Sequence, residues 1–142
     1  MSTGIKQTKV AGRVGPDLYG VTTVEGGRAS YRREPCAQCP WRRDVPTGAF
    51  PAEAFRISAN TAYDMSTHQF ACHMSGADKP ATCAGFLLRG AAHNLSVRLA
   101  LSDGRIDPAQ LRETSPLYDS YREMAEANGV APDDPALAKC RD

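Results

Sequence analysis

Aromatic side chains are scarce in this chain: 7% of 142 residues, with a single tryptophan. Any core is therefore mostly aliphatic and thin. No run of 18 apolar residues occurs, which excludes a transmembrane helix and with it a membrane-spanning partner role. The opening stretch, MSTGIKQTKVAGRVG, has no apolar segment ahead of a cleavage site. No secretory signal is expected from it, and a cytoplasmic location is the simplest reading. The Walker loop, GxGxxG and H-E-x-x-H are all missing, and so is the H-x-E signature that a zinc deaminase would need. Neither an internal repeat nor a low-complexity tract is found. Net charge is small, at +1, far from the strong basicity of most nucleic-acid binders.

The length is that of one domain, enough to bury about two-thirds of the unfolded surface. With 42% hydrophobic and 23% charged residues, the chain is ordinary globular rather than disordered. The small net charge hides an asymmetry. Residues 1–60 hold nine Lys/Arg against five Asp/Glu, a net of +4, and residues 61–142 hold eight against eleven, a net of −3. Arginine outnumbers lysine thirteen to four, and its fork suits phosphate and carboxylate. Arg32, Arg33, Arg42 and Arg43 flank the first cysteine pair. Together with Trp41, whose ring could stack on a base, they form a candidate contact surface for nucleic acid or a protein partner. A solvated face, with Trp41 shielding the cysteines from solvent, is the plainer reading. Asn94 and Arg98 lie four apart on one helical face. They are either hydrogen-bond partners of buried carbonyls or a phosphate-binding pair.

Cysteine is the informative residue. Five occur, at positions 36, 39, 72, 83 and 140. An odd number in a chain without a secretory signal argues against a disulfide framework. Four of them follow the order Cys36-x2-Cys39, thirty-two residues, Cys72, ten residues, Cys83. A C-x2-C turn places two thiolates at adjacent corners of a tetrahedron, and two more brought in by the fold close the site. Zinc is the first candidate for such a sulfur-rich site. Four thiolates equally suit an iron–sulfur cluster such as 4Fe–4S, since a cysteine followed by proline occurs in ferredoxin-type runs. Without metal, the four are small buried hydrophobes or a redox pair. His73 follows Cys72 directly and is either a ligand or a neighbour of the ligands. His68 reads as an exposed loop residue and Cys140 as a free, exposed thiol. A closed four-cysteine zinc leaves no position for water, so no catalytic residues are assigned. A site with His73 as ligand would reopen metalloenzyme chemistry.

For the fold, the expectation is an α-rich α+β single domain whose loops are pinned by the cysteine-ligated metal. Residues 1–30 read as an extension or a short β-hairpin, because VTTVEGG is a strand-then-turn pattern. Residues 31–130 read as the metal-stabilised helical domain and residues 131–142 as a flexible tail. Pro51 opens a helix over Ala52 to Tyr63. Residues 64–81 read as loop. Helical spacing runs from Cys83 to about Leu101, with Thr82 as cap and a break of phase near Gly90. Asp107 before Pro108 marks a short start, and Ser115 caps a segment from Pro116 to Asn128. There Leu117, Tyr121, Met124 and Ala125 share a face and Gly129 ends the helix.

The runs Pro35-Cys36-Ala37-Gln38-Cys39-Pro40-Trp41-Arg42, Phe70-Ala71-Cys72-His73 and Cys83-Ala84-Gly85-Phe86 resemble a small family of uncharacterised proteins from bacteria and their phages. The resemblance spans roughly residues 34–102 and leaves the first thirty and last forty outside. It brings no assigned activity. It implies that the four cysteines act as a set to which His73 belongs, and a phage or prophage origin for an accessory or regulatory protein.

Overall fold

The computed structural model describes residues 9–14, 19–25, 30–72 and 81–141, the first two ranges as backbone only. They form a small α+β domain with four α-helices and a few short strands. No helix among the described residues is long and apolar enough to cross a membrane.

The N-terminal hairpin is formed. β1 (Lys9–Val14) pairs antiparallel with β2 (Tyr19–Glu25), with a register shift between Val10 and Gly12. The β-branched run from Val21 to Val24 suits a pleated strand. This hairpin is not a separate extension. β2 pairs antiparallel with β4 (His68–Phe70), Thr23 facing Phe70, and β1 and β2 both lie against α1 (Ala52–Ser58).

Within residues 64–81, expected as loop, His68–Phe70 and Ala81 are strand, and residues 73–80 lie outside the described residues. β3 (Ser30–Tyr31) runs parallel to β5 (Ala81–Thr82). A bridge between Ala71 and Thr82 links the end of β4 to β5. These strands are two and three residues long, too short to show alternation. Long-range pairing, not local pattern, creates them. Between them the Thr82 hydroxyl donates to Gln69 Oε1 at 2.7 Å, with both side chains buried.

The helices are shorter than the sequence pattern suggested. α1 ends at Ser58 and tightens into a 3₁₀ turn over Ala59–Ala62. Phe55, Ala59 and Ala62 turn inward along it. The long helix expected from Cys83 is two helices, α2 (Ala84–Arg89) and α3 (Leu95–Ser102). The phase break at Gly90 is where they part. Asn94, not Thr82, is the side chain that caps: its Oδ1 accepts from Val97 N at 3.0 Å. Its amide nitrogen donates to the carbonyls of His68 (2.7 Å) and Thr61 (3.3 Å). One amide thus ties α3 to β4 and to the turn after α1. Asp107 caps a 3₁₀ turn over Pro108–Gln110. α4 is Tyr121–Ala127, capped by Ser120 rather than Ser115. Tyr121, Met124 and Ala125 are fully buried on one face, as their spacing required, and Gly129 follows with φ +99°.

The C-terminal segment is packed, against the expectation of a flexible tail. Val130 and Leu137 are buried. Tyr63 Oη donates to the Ala136 carbonyl at 2.8 Å, Arg122 to the Leu137 carbonyl at 2.9 Å, and Arg141 N to the Ala62 carbonyl at 2.9 Å. Cys140 is likewise buried, not exposed. It bridges Tyr63 through the backbone, and its Sγ lies 3.8 Å from the Ala59 carbonyl. Pro132 and Pro135 carry an extended pattern, but the contacts that hold this stretch come from residues 56–63 and from Arg122 of α4.

The centre of the core is Trp41, fully buried. It meets Phe70 and Tyr121 edge-on at 6.1 and 5.9 Å between centroids, and Phe70 stacks on Phe86 at 6.4 Å. The indole lies directly on α2. A Cβ added at Gly90 would sit 2.5 Å from the far edge of the indole, and one at Gly85 would sit 2.6 Å from Trp41 Cβ.

Two stability outcomes follow. Gly90→Ala forces the packed indole to move and should destabilise by about 1–3 kcal/mol, read as a lowered denaturant midpoint with a shifted Trp41 emission. Asn94→Ala removes a helix cap and strands two buried carbonyls. A loss of about 2 kcal/mol is expected, and a loss under about 0.5 kcal/mol in urea unfolding would contradict the role given to this amide.

Candidate metal centre

The first thiol pair sits in a knuckle. Cys39 N donates to the Cys36 carbonyl at 3.2 Å and Arg42 N to the Cys39 carbonyl at 3.0 Å. Pro40 follows Cys39, and the backbone here runs on through Trp41 into a bridge between Arg42 and Leu117. β3 aims this knuckle. Its parallel pairing with β5 continues as Arg32 N to the Thr82 carbonyl at 2.9 Å, so the chain enters the knuckle beside the second thiol pair.

That second pair is held by a short antiparallel ladder. Ala71 faces Thr82, Cys72 N donates to the Ala81 carbonyl at 2.7 Å, and Cys83 N donates to the Phe70 carbonyl at 2.8 Å. Cys72 therefore lies opposite Ala81 and Cys83 opposite Phe70. Side chains alternate between faces, so Cys72 and Cys83 share one face as diagonal neighbours. The ten-residue spacing, unusual beside C-x2-C repeats, is thus the register of a hairpin.

The two pieces meet. Cys39 Sγ lies 3.5 Å from Cys83 Sγ, and both thiols are buried. The Cys36 thiol interacts with those of Cys39 and Cys72. Cys72 is buried, while Cys36 is half-buried. A Cβ at Gly85 would be 3.2 Å from Cys39 Sγ as well as against Trp41, so glycine two residues after Cys83 lets the knuckle seat. The sequence marks Gly90 as a break of phase but not as a packing site, and it gives Gly85 no role beyond its place two residues after Cys83.

Crowding sets the electrostatics. The contact with Cys39 leads the upward push on the Cys36 thiol, which outweighs the opposing bond with Cys72. At Cys39 the bond with Cys36 favours the thiolate. The contact with Cys83 and burial overcome it and push the pKa well above the ordinary thiol range. Both shifts favour the protonated thiol at Cys36 and Cys39. The contacts are pairwise: among the described residues no group of three or more His, Cys, Asp or Glu side chains stands together as a metal cage. His73 lies outside the described residues. His68 lies in β4, half-buried, with its carbonyl taken by Asn94, and so is not the exposed loop residue expected.

The expected contact surface divides. Trp41 is fully buried and Asn94 is 1% exposed, so neither can meet a partner, and the ring is not available for base stacking. Arg42 forks onto Asp44 at 2.7 and 2.8 Å and also donates to the Cys36 carbonyl at 3.2 Å. Arg43 donates to the Leu117 carbonyl at 2.9 Å, pairs with Glu123, and lies over the Tyr118 ring. Both arginines brace the knuckle. Arg33 lies over Tyr31 and donates to Gln110 at 3.0 Å. Arg32, Arg33 and Arg98 are exposed, and among the described residues none of the three makes an ion pair. Arg98 thus parts from Asn94, its expected companion.

No curated protein and no solved structure gives a significant match to this chain. A family model matches residues 31–141, which extends the likeness through the C-terminal packing that the motifs alone left outside. The chain therefore belongs to a family of unknown function, DUF6283.

Proposed function

We propose that this chain is a non-catalytic zinc-binding module in which Cys36, Cys39, Cys72 and Cys83 hold one ion that fastens the knuckle to the hairpin. The carrying observation is the meeting of Cys39 and Cys83 at 3.5 Å across forty-four positions of sequence. Sulfurs about 2.3 Å from a tetrahedral zinc stand about 3.8 Å apart, so this contact is close to one edge of such a site. Cys36, whose thiol interacts electrostatically with those of Cys39 and Cys72, supplies the route to the other two corners. The metal replaces thiol protons, and its binding energy adds to folding.

Sulfur contact also favours zinc over the iron–sulfur alternative. In a 4Fe–4S cluster each iron takes its own thiolate, so the ligand sulfurs stand at separate corners rather than against one another. Four thiolates leave zinc no open position for water, which supports a structural over a hydrolytic role. The accessory or regulatory part of the reading rests on Arg32 and Arg33. They are exposed beside the knuckle, and nucleic acid is the partner whose charge suits them.

Protein purified without oxygen should carry one zinc per chain and no visible colour. Cys39→Ser should lose the metal, and chelation should lower the unfolding free energy by about 4 kcal/mol where free zinc was a thousandfold above Kd. Iron with a brown colour, or no metal at all, would overturn the zinc reading. For the partner, Arg32→Ala with Arg33→Ala should weaken DNA or RNA binding and reduce the salt slope by about 2. An unchanged slope would remove this surface.

A further inference from the structure

Four thiols admit three pairings, and their contacts are not equivalent. The Cys36 thiol interacts electrostatically with those of Cys39 and Cys72, but the direct contact is Cys39 to Cys83 at 3.5 Å, which leaves Cys36 to Cys72. Cys72 and Cys83 are diagonal across an antiparallel ladder, where Cα atoms stand about 7–8 Å apart. A relaxed disulfide usually needs about 4.4–6.8 Å. A local Cys36–Cys39 bond would therefore leave the hairpin pair poorly placed to close. Pairing Cys36 with Cys72 leaves Cys39 and Cys83 already in contact. Of the four, Cys36 is the one that is not buried, so a small oxidant dissolved in water reaches it first.

We propose that Cys36 is an oxidation site through which a peroxide exchanges the metal for two disulfides, Cys36–Cys72 and Cys39–Cys83. The metal half of this statement rests on the zinc reading above, and the pairing half rests on the thiol contacts alone. In the first step the Cys36 sulfur attacks a peroxide oxygen. The O–O bond breaks, one water leaves, and Cys36 becomes a sulfenic acid. The Cys72 sulfur then attacks the Cys36 sulfur. The S–S bond forms, the S–O bond breaks and a second water leaves. Two zinc-bound thiolates have lost two electrons, and one hydrogen peroxide, with two protons taken from solvent, has become two waters. Zinc(II), short of two ligands, departs unchanged. A second peroxide joins Cys39 to Cys83 with the same balance.

Both bonds tie the knuckle to the hairpin, which is the connection the metal makes. Each closes a loop of more than thirty residues, and long loops are where a cross-link restrains the unfolded chain most. The oxidised chain is therefore expected to stay folded without metal, with Trp41 still buried. The local pairing would release the knuckle from the hairpin instead.

The test treats the full-length, zinc-loaded protein with hydrogen peroxide, following zinc with a chromogenic chelator and Trp41 by its emission. A Cys140→Ser background removes the fifth thiol, and the native chain is run beside it in case that buried substitution unfolds the protein. Trypsin cleavage after Arg33 and Arg42 leaves Cys36 and Cys39 on one peptide, and cleavage after Arg56 and Arg89, with Lys79-Pro80 resistant, leaves Cys72 and Cys83 on another. The proposal expects these two peptides to be joined, tandem fragmentation to give Cys36–Cys72 and Cys39–Cys83, and zinc to appear as they join. Two separate, internally bridged peptides, the crossed pairing, or Cys36 sulfinic acid without cross-links would overturn it. If the purified chain carries no zinc, the zinc reading fails, and the same digest of the metal-free protein still decides the pairing.

Discussion

The indole of Trp41 is the contact on which the other pieces of this molecule rest. It follows the C-x2-C knuckle by two residues, so its position fixes where the knuckle lies. Its face and edges are taken up by Gly85 of α2 and Gly90 just after it, by Phe70 of β4 and by Tyr121 of α4. Its backbone carbonyl accepts from Tyr118 at 2.9 Å. In a chain with one tryptophan, burying that ring completely removes the largest apolar area any residue can offer. The arrangement has a cost: Nε1 is buried with no hydrogen-bond partner among the described residues, and a stranded donor costs about 1–3 kcal/mol. Packing of the ring on two glycines outweighs it. The consequence for the cysteines is direct, because the same contact that seats Trp41 on Gly85 brings Cys39 against Cys83.

What was legible in the sequence was whatever depends on local pattern. The hairpin strand at VTTVEGG, the cap-and-proline start at Asp107, the inward face of Tyr121, Met124 and Ala125, and the stop at Gly129 all follow from neighbours within a few residues. The strands at 68–70 and 81–82 did not show, because two or three residues carry no period and their partners lie tens of positions away. The segment 131–142, expected as a flexible tail and described through Arg141, departs from that expectation for the same reason. Its prolines speak for an extended chain, while its order comes from Arg56, Ala62 and Tyr63. For Trp41 and Asn94 the sequence leaves two readings, a contact surface or an inward structural role, and the fold takes the second. Only the three-dimensional neighbours reveal that one ring and one amide are both fully used inside.

The arginines carry a similar lesson. A cluster of positive charge beside a cysteine knuckle suggests a polyanion from sequence alone. In the fold, half of that cluster is spent on the chain itself. Arg42 joins Asp44 to the Cys36 carbonyl, and Arg43 joins Leu117 to Glu123. Exposed ion pairs of this kind contribute little each. Their value lies in direction: an arginine that bonds a carboxylate and a backbone carbonyl together fixes a turn that has no regular secondary structure. Arg33 is exposed and bonds Gln110 and the Tyr31 ring rather than a carboxylate, and Arg32 is exposed, which separates both from the bracing pair.

The knuckle and hairpin are each small and each held by few backbone bonds, and they are distant in sequence. Bringing such pieces together costs loop-closure entropy that grows only slowly with length, so the cost is set mainly by how firmly the pieces are joined once they meet. Trp41 supplies one joint through packing, and the Cys39–Cys83 contact marks where a second can form. Neutral thiols in contact are a weak joint, since sulfur is a poor donor and acceptor. A shared ion or a covalent bond at the same place is a strong one. On the proposed readings the same four side chains would allow three grades of connection, with Cys36 the half-buried one beside three buried partners.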